Sequence, residues 1–257
     1  MNQADKVLFL AHSRPGSYVF RQTAQYLERF PEVEIRAIAD DPGPFPQSVE
    51  EITLLYMLKA MDIGVERHFL AAIGQAEREG YGAAACASAG DFACAEARER
   101  YSIPYVGMGW ASYREAVAIG GRFSHLHTHM AELIMPISIQ QISAYGFREQ
   151  LVSVEYVDVD IYRCLAAEAD PDFGQLLQIF APQVKKAAAK GARAITIGCG
   201  SPEFSRLAQL LDDMAREQYG VRVLPPIDTV VKVAREFLGS STRSAPPDRS
   251  GRCQAGM

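Results

Sequence analysis

The sequence lacks three features that define large classes of proteins. No apolar stretch approaches the roughly 20 residues that a membrane-spanning helix needs, so no membrane partner is predicted. Asp and Glu together number 31 against 26 Lys and Arg, and no cluster of basic residues forms. Binding to a phosphate backbone needs a basic face, so nucleic acid is not a predicted partner. The N-terminus has no basic region followed by an apolar one, which predicts a cytoplasmic protein.

Cysteine is scarce, and its spacing offers no pairs. The chain has 5 cysteines and no Cys-x-x-Cys. An odd number in a reducing compartment argues against structural disulfides. Cys94 and Cys164 fall in helical patterns and are interpreted as packing residues, while Cys253 lies in a polar tail. Cys86 and Cys199 remain as candidates for chemistry.

What is present is the composition of an ordinary globular protein. Of 257 residues, 48% are apolar and 22% charged, with a formal net charge of −5. This length allows one large α/β domain or two smaller ones, and it can bury about three quarters of the surface of the unfolded chain. Residues 240–257 are rich in Gly, Ser and Pro, which predicts a disordered tail.

Short apolar runs alternate with helical patterns along the chain. The predicted strands cover residues 7–11, 34–39, 83–87, 104–108, 123–128, 152–157, 194–198 and 221–224. The predicted helices cover residues 20–30, 52–75, 93–101, 112–119, 137–145, 173–190, 202–219 and 229–238. This alternation predicts an α/β protein with parallel strands and helices on both faces.

The second half of the chain repeats the first. In residues 82–88 an apolar strand runs into a cysteine, a small residue and a serine, and residues 194–201 repeat that order. The first strand of each half ends near a histidine, His12 or His127, at nearly the same spacing from the cysteine. The repeat predicts two lobes of similar topology.

Cys86 and Cys199 both lie at predicted carboxyl ends of strands, where open α/β sheets collect ligands. Each precedes a predicted helix start: residues 88–91 have the form of a capping box, and residues 201–202 place a serine before a proline. Free N–H groups and the positive end of a helix lower a thiol pKa towards neutrality. The alternative interpretation is two buried cysteines that only fill space at strand ends.

Two thiols facing one pocket suit a reaction that inverts a carbon centre. One thiolate removes a proton from carbon, and the other thiol returns a proton to the opposite face. Each residue is then a base in one direction and an acid in the other, which requires a pKa near the operating pH.

These residues carry a resemblance to a known family. Over roughly residues 6–238 the chain resembles the Asp/Glu racemase superfamily and, within it, the hydantoin racemase branch. The matching motifs are Ala85-Cys86 with Gly90-Asp91, residues 103–109, residues 121–124 with Thr128, residues 145–147, residues 191–200 and residues 223–228.

The resemblance implies two Rossmann-like lobes with parallel sheets, related by a pseudo-twofold axis, with the active site between them. It implies no cofactor, and Cys86 and Cys199 as the acid–base thiols. It also implies that the last helix packs back onto the first lobe. The expected division is therefore residues 1–115 with 220–239 in the first lobe and residues 116–219 in the second.

This chain departs from the family pattern around the expected pocket. His12 and Ser13 stand where hydantoin racemases usually have an Asn-Pro-Asn-Ser turn. Residues 87–89 separate Cys86 from the Gly-Asp pair, and Trp110 replaces a common acidic residue. Decarboxylase-like members keep one thiol, so two thiols favour racemisation or isomerisation. The departures leave the substrate open.

The predicted partner is a small molecule bound near the two thiols. The residues expected to bind it are His12, Ser13, Ala87, Ser88, Trp110, His127, Thr128, Gly200 and Ser201. A 5-substituted hydantoin or related cyclic ureide is the first choice, with an apolar side chain against Trp110. The alternatives are an Asp/Glu-type amino acid racemase and a maleate-type cis–trans isomerase.

Other interpretations remain at this stage. His125, His127 and His129 alternate along one strand and would share a face, which suits a metal hydrolase, but no further ligand motif accompanies them and no metal is predicted. A non-catalytic small-molecule binding protein is a second class. Trp110 alternatively fills a core. A homo-oligomer is left open.

Overall fold

The structure, a computed structural model, describes residues 2–11, 15–38, 65–86, 88–127, 131–159 and 172–238. Its strands are β1 (Val7–Ala11), β2 (Val33–Ala37), β3 (Ala83–Cys86), β4 (Tyr105–Val106), β5 (Phe123–His127), β6 (Leu151–Tyr156), β7 (Ala194–Ile197) and β8 (Arg222–Leu224). Its helices are α1 (Tyr18–Leu27), α2 (Val65–Glu79), α3 (Cys94–Arg100), α4 (Met108–Gly120), α5 (Ala131–Ala144), α6 (Phe173–Ala189), α7 (Pro202–Tyr219) and α8 (Pro226–Arg235). Across these described ranges, every helix is too short or too polar to cross a membrane.

The strands form two parallel four-stranded sheets of equal topology. The first has the order β2-β1-β3-β4 and the second β6-β5-β7-β8. Every pairing in both sheets is parallel. This confirms the predicted α/β class with two parallel sheets and shows that the internal repeat of the sequence is a repeat of the fold.

The inner strands are buried because helices cover both faces of each sheet. All residues of β1 and of β5 are buried. This is expected for the apolar β1 in a parallel sheet, whereas β5 also buries Ser124, His125 and His127. Side chains alternate between the faces: Leu8 and Leu10 enter the cluster that includes Phe69 of α2, whereas Val7 and Phe9 enter the one that includes α8. The edge strand β2 is only half-buried along its length.

The connection between the lobes differs from the predicted division. Residues 220–239 were expected to return to the first lobe as one piece, but β8 pairs with β7 in the second sheet. Val223 is fully buried in the second-lobe core, and its N–H donates to Asp212 at 2.8 Å. The helix α8 does pack against β1, β3 and β4. The chain therefore crosses between the lobes after β8.

Helix α4 starts earlier than the sequence predicts and spans the boundary set at residue 115. Residues 104–108 were expected to form one strand, yet β4 ends at Val106 and α4 begins at Met108. This helix packs against β5 and β7 of the second sheet and against α8. It therefore lies between the lobes.

Polar side chains from three helices also join the lobes. Tyr26 of α1 donates to Asp228 of α8 at 2.5 Å, and Gln209 of α7 donates to the Tyr26 hydroxyl at 3.1 Å. Arg29 forms an ion pair with Asp228 at 2.6 Å. Burial, and then the adjacent Asp228 carboxylate, raise the pKa of Tyr26, so its hydroxyl remains a donor.

Candidate active site

Cys86 is the last residue of β3, and its side chain is fully buried. It lies in the core cluster with Leu8, Leu10 and Tyr105. The Tyr105 hydroxyl donates to the Phe92 carbonyl at 3.1 Å and is also within hydrogen-bonding reach of the Cys86 sulfur. Burial raises the pKa of Tyr105 well above its usual value, and the neighbouring Cys86 adds to that shift. The hydroxyl is therefore a fixed donor beside this thiol.

The segment after Cys86 is a tight turn rather than the predicted capping box. The Ser88 hydroxyl accepts from the Gly90 N–H at 3.2 Å, and the Asp91 N–H donates to the Ser88 carbonyl at 3.1 Å. Helix α3 begins only at Cys94, after Ala93 in a left-handed conformation with φ 60°. Ser88 and Asp91 therefore close a turn and leave the helix start without a side-chain cap.

The Asp91 carboxylate caps a different helix, α4. Its two oxygens accept from the N–H groups of Gly109 and Trp110, both at 2.7 Å. The Tyr145 hydroxyl donates to one of these oxygens at 3.0 Å. A Cβ at Gly107 would lie 2.4 Å from the Asp91 Cγ, so only glycine leaves room for the carboxylate. These contacts explain why α4 begins at Met108.

Cys199 follows β7 and is half-buried, with its side chain against the second-lobe core. Helix α7 begins three residues later, at Pro202. The Ser201 hydroxyl caps it by accepting from the Phe204 N–H at 3.5 Å. The serine–proline start expected from the sequence is thus present, and it brings free N–H groups and the positive helix end close to Cys199 in the chain.

The register of the two sheets shows how closely the thiols correspond. In the first sheet Leu10 pairs with Cys86, and in the second Leu126 pairs with Ile197. Because both ladders start at the first residue of the inner strand, Cys86 is equivalent to Ile197. Cys199 lies two residues further, beyond the end of β7, and packs against the core cluster that contains Ile197.

Two histidines lie beside the backbone that leads to Cys199. His125 contacts the Thr196 hydroxyl at 2.8 Å through Nδ1, and His127 contacts the Ser138 hydroxyl at 3.4 Å through Nε2. A Cβ at Gly198 would lie 2.9 Å from His125 and 3.3 Å from His127. Burial, and then the neighbouring His127, lower the pKa of His125 to about 3. His125 is therefore neutral at ordinary pH.

These contacts also bear on the metal interpretation of the histidine run. His125 and His127 lie side by side, with ring centroids 5.6 Å apart. One nitrogen of each ring contacts a hydroxyl, that of Thr196 for His125 and that of Ser138 for His127. In the part of the chain that the structure describes, no three His, Cys, Asp or Glu residues gather as metal ligands. His129 lies outside that part.

Trp110 occupies a core position rather than an open wall. It belongs to the first-lobe cluster and is only 9% exposed. The guanidinium groups of Arg98 and Arg114 lie 5.6 and 5.7 Å from its ring centroid, a distance suited to cation–π attraction. This is the core alternative of the sequence analysis, and contact between Trp110 and a substrate stays a prediction.

The remaining predicted site residues divide into two groups. Gly200 and Ser201 stand next to Cys199 at the start of α7, where Ser201 is buried and Gly200 half-buried. The others lie outside the described residues: His12, Ser13, Ala87 and Thr128. Asp91 is the residue that the sequence reasoning undervalued, because it was considered only as part of a capping box.

Comparison with known proteins agrees with this architecture. The family model described as "Asp/Glu/Hydantoin racemase" matches residues 31–234. The chain belongs to this family. It is also 30% identical over 171 residues to a hydantoin racemase of Rhizobium meliloti, and it spans 66% of the length of that relative. The predicted superfamily and branch are thereby confirmed.

Solved structures share the fold across nearly the whole chain. An allantoin racemase from Klebsiella pneumoniae matches with a TM-score of 0.68 and 18% identity, covering 95% of this chain and 94% of that one. An aspartate racemase homologue from Pyrococcus horikoshii OT3 matches with a TM-score of 0.57 and 15% identity, covering 92% and 100%. The named racemases are isomerases. At sequence identities of 18% and 15%, these similarities show a shared fold and no more.

Proposed function

We propose that this protein is a cofactor-independent racemase in which Cys86 and Cys199 exchange protons with a carbon next to a carbonyl group. The observation that carries the proposal is the placement of the two thiols. Cys86 ends the third strand along the chain in its sheet, and Cys199 lies two residues beyond the third strand in the other sheet, which has the same strand order. Membership of a racemase family supports the same reaction.

The surroundings of the thiols suit opposite halves of one proton transfer. The Tyr105 hydroxyl lies within hydrogen-bonding reach of the Cys86 sulfur, and a hydrogen bond from it to the thiolate would favour the charged form of Cys86. Cys199 lies at the start of α7, where helix N–H groups and the helix dipole favour a thiolate. One thiolate takes the proton from carbon, and the other thiol supplies a proton from the opposite side.

For the substrate we propose a 5-substituted hydantoin or a related cyclic ureide. The similarity to a hydantoin racemase supports this choice. The carbon between the ring carbonyl and the ring nitrogen is acidified by both, so a thiolate is a sufficient base. An Asp/Glu-type amino acid and a maleate-type isomerisation are the alternatives within the family.

The test is to incubate the wild-type protein with benzyl- and isobutyl-hydantoin, allantoin, aspartate and glutamate in D2O. Racemisation of a hydantoin with one deuterium at the α-carbon is expected, unchanged by EDTA and without added pyridoxal phosphate. Binding without exchange would instead indicate a non-catalytic binding protein. Exchange that disappears with EDTA would indicate a metal-dependent enzyme, and preference for aspartate or glutamate would replace the proposed substrate.

A further inference from the structure

The turn after Cys86 is held in an unusual conformation. Asp91 has φ 50° and Ala93 has φ 60°, in the left-handed region that non-glycine residues seldom adopt. Such a turn needs external contacts to stay in one conformation. The Glu66 carboxylate accepts from the Ala93 N–H at 3.2 Å at one end of the turn. At the other end Asp91 is 4% exposed, and its buried carboxylate supplies further contacts.

Those contacts come from two helices. Helix α4 gives two N–H groups to the Asp91 carboxylate at 2.7 Å, and hydrogen bonds to a charged acceptor are about twice as strong as neutral ones. The Gln141 amide of helix α5 donates to the Ala89 carbonyl at 2.9 Å, and Tyr145, the residue that follows this helix, donates its hydroxyl to Asp91 at 3.0 Å. Burial raises the pKa of Tyr145 well above its usual value, with Asp91 adding to the shift, so this phenol stays protonated as a donor.

The same two helices reach the backbone that carries Cys199. Tyr113 of α4 meets the His125 ring edge-on, with centroids 5.6 Å apart. Ser138 of α5 contacts His127 at 3.4 Å. Both imidazoles lie against Gly198, the residue before Cys199. Helices α4 and α5 therefore contact the turn after Cys86 directly and are connected to the segment that carries Cys199 through the two imidazoles.

We propose that Asp91 is a positioning residue that docks the turn after Cys86 onto α4 and α5, and so sets Cys86 relative to Cys199. This inference rests on the proposed racemase function. Proton transfer depends on sub-ångström placement of the base, and displacement by about 1 Å can lower a rate about a hundredfold. Releasing the turn should therefore move Cys86 while the His125–His127 side keeps Cys199 in place.

The test uses Asp91→Asn, which preserves shape but turns one acceptor oxygen into an N–H donor facing a helix N–H group. Alkylation of individual cysteines by iodoacetamide is followed by peptide mass spectrometry across pH. We expect Cys86 to react at least about tenfold faster, while Cys94 and Cys199 stay within about twofold of wild type. In the racemase assay kcat should fall at least about tenfold with KM within about threefold. Tyr145→Phe should also speed the alkylation of Cys86 and lower kcat, but both changes should be smaller than in Asp91→Asn.

A matched control is Asp213→Asn, because the Asp213 side chain is 78% exposed and forms an ion pair with Arg216 at 3.2 Å on the protein surface. It should change neither alkylation nor kcat. Equal acceleration of Cys86 and Cys94 in Asp91→Asn would show general loosening of the core and overturn the proposal, as would a wild-type kcat. If the wild type racemises none of the compounds offered, the proposed function fails, and the alkylation contrast alone then decides whether Asp91 positions Cys86.

Discussion

Cys86 and Cys199 follow equivalent strands, but the two lobes hold them differently. Cys86 ends its strand inside the first-lobe core, beside a buried tyrosine hydroxyl, and the turn behind it is tied down by Asp91. Cys199 lies two residues beyond the equivalent position, half-buried at the start of a capped helix, with a pair of imidazoles behind Gly198.

The difference teaches that the repeated topology does not repeat the chemistry of the site. On the inner strand of the first lobe, the face occupied by Phe9 and Ala11 is apolar. The equivalent face of β5 carries His125 and His127. A two-base racemase needs one base on each side of the substrate, and the sides are free to differ in how each thiol is activated. The proposed reaction therefore predicts unequal thiols acting as a necessary pair.

The largest expected effect comes from removing either thiol. Cys86→Ala and Cys199→Ala should each lower the racemisation rate by about 10²–10⁴-fold, the usual contribution of one acid–base group. Chiral chromatography of a racemising hydantoin measures this. Cys94→Ala is the matched control, because this buried cysteine belongs to the same core cluster as Cys86; it should keep near-normal rates. A fully active Cys86→Ala variant would contradict the proposal that both thiols are required.

Gly198→Ala should have the next largest effect, and the structural disturbance should be confined to the second lobe. Gly198 does not have a positive φ, so the cost arises from the new Cβ meeting His125 at 2.9 Å. Overpacking of this kind costs about 1–3 kcal/mol of unfolding free energy, and displacement of Cys199 should lower kcat about tenfold or more. Urea unfolding and racemisation measure the two effects.

Gly174→Ala provides the comparison for that glycine. Its Cβ would meet only the Asp172 side chain, at 3.1 Å, inside helix α6, where alanine is preferred by about 1 kcal/mol. Stability and rate should be unchanged or slightly higher. Equal losses in both variants would show that the histidine pair does not explain the need for glycine at 198.

Acid should weaken the second lobe through His125. Its folded pKa of about 3 lies below the unfolded value of 6.5, so below pH 6.5 the unfolded chain binds a proton that the folded chain excludes. The unfolding free energy is therefore unaffected by His125 well above pH 6.5, and it decreases as the pH falls below that value. Between pH 7 and pH 5 this one group should cost the wild type about 2 kcal/mol.

Urea unfolding of wild type and His125→Gln at these two pH values measures the loss. The variant lacks the titrating ring, so its unfolding free energy should fall less over the same interval. Parallel declines in the two proteins would show that the buried imidazole is protonated without penalty. The absolute stability of the variant does not enter this comparison, because only the change with pH is used.

The smallest expected effect comes from changing a hydrogen bond between the two lobes. Tyr26→Phe removes the hydroxyl that donates to Asp228 and accepts from Gln209, while the Arg29–Asp228 ion pair remains. A hydrogen bond to a charged group contributes about 1–2 kcal/mol, and urea unfolding should show a loss of that size. Alkylation of both thiols should stay at wild-type rates. Faster alkylation of Cys86 or Cys199 would show that this contact also holds the site.

Local patterns predicted much of the fold and part of the site. Apolar runs locate the inner strands because each is buried along its length, and the serine–proline pair at residues 201–202 locates the start of α7. The alternation of predicted strands and helices was sufficient to place Cys86 and Cys199 at the ends of strands. These features depend on neighbours within a few residues in the chain.

What the sequence did not reveal depends on contacts between distant residues. Asp91 matched a capping box for its own helix, but its partners are Gly109, Trp110 and Tyr145. Its deep burial, and the room that Gly107 leaves for it, exist only after α4 and α5 have packed. The position of β8 was missed for a similar reason, because its partner strand β7 and the Asp212 acceptor define it.

The most direct test of the two-base account is α-hydrogen exchange by the single-cysteine variants. Cys86→Ala and Cys199→Ala are each incubated in D2O with each pure enantiomer of a hydantoin that the wild type racemises. Each variant keeps one base on one side of the substrate, so it should exchange the α-hydrogen of one enantiomer without inverting it, and the two variants should prefer opposite enantiomers. Exchange of both enantiomers by one variant, or the same preference in both variants, would contradict the account.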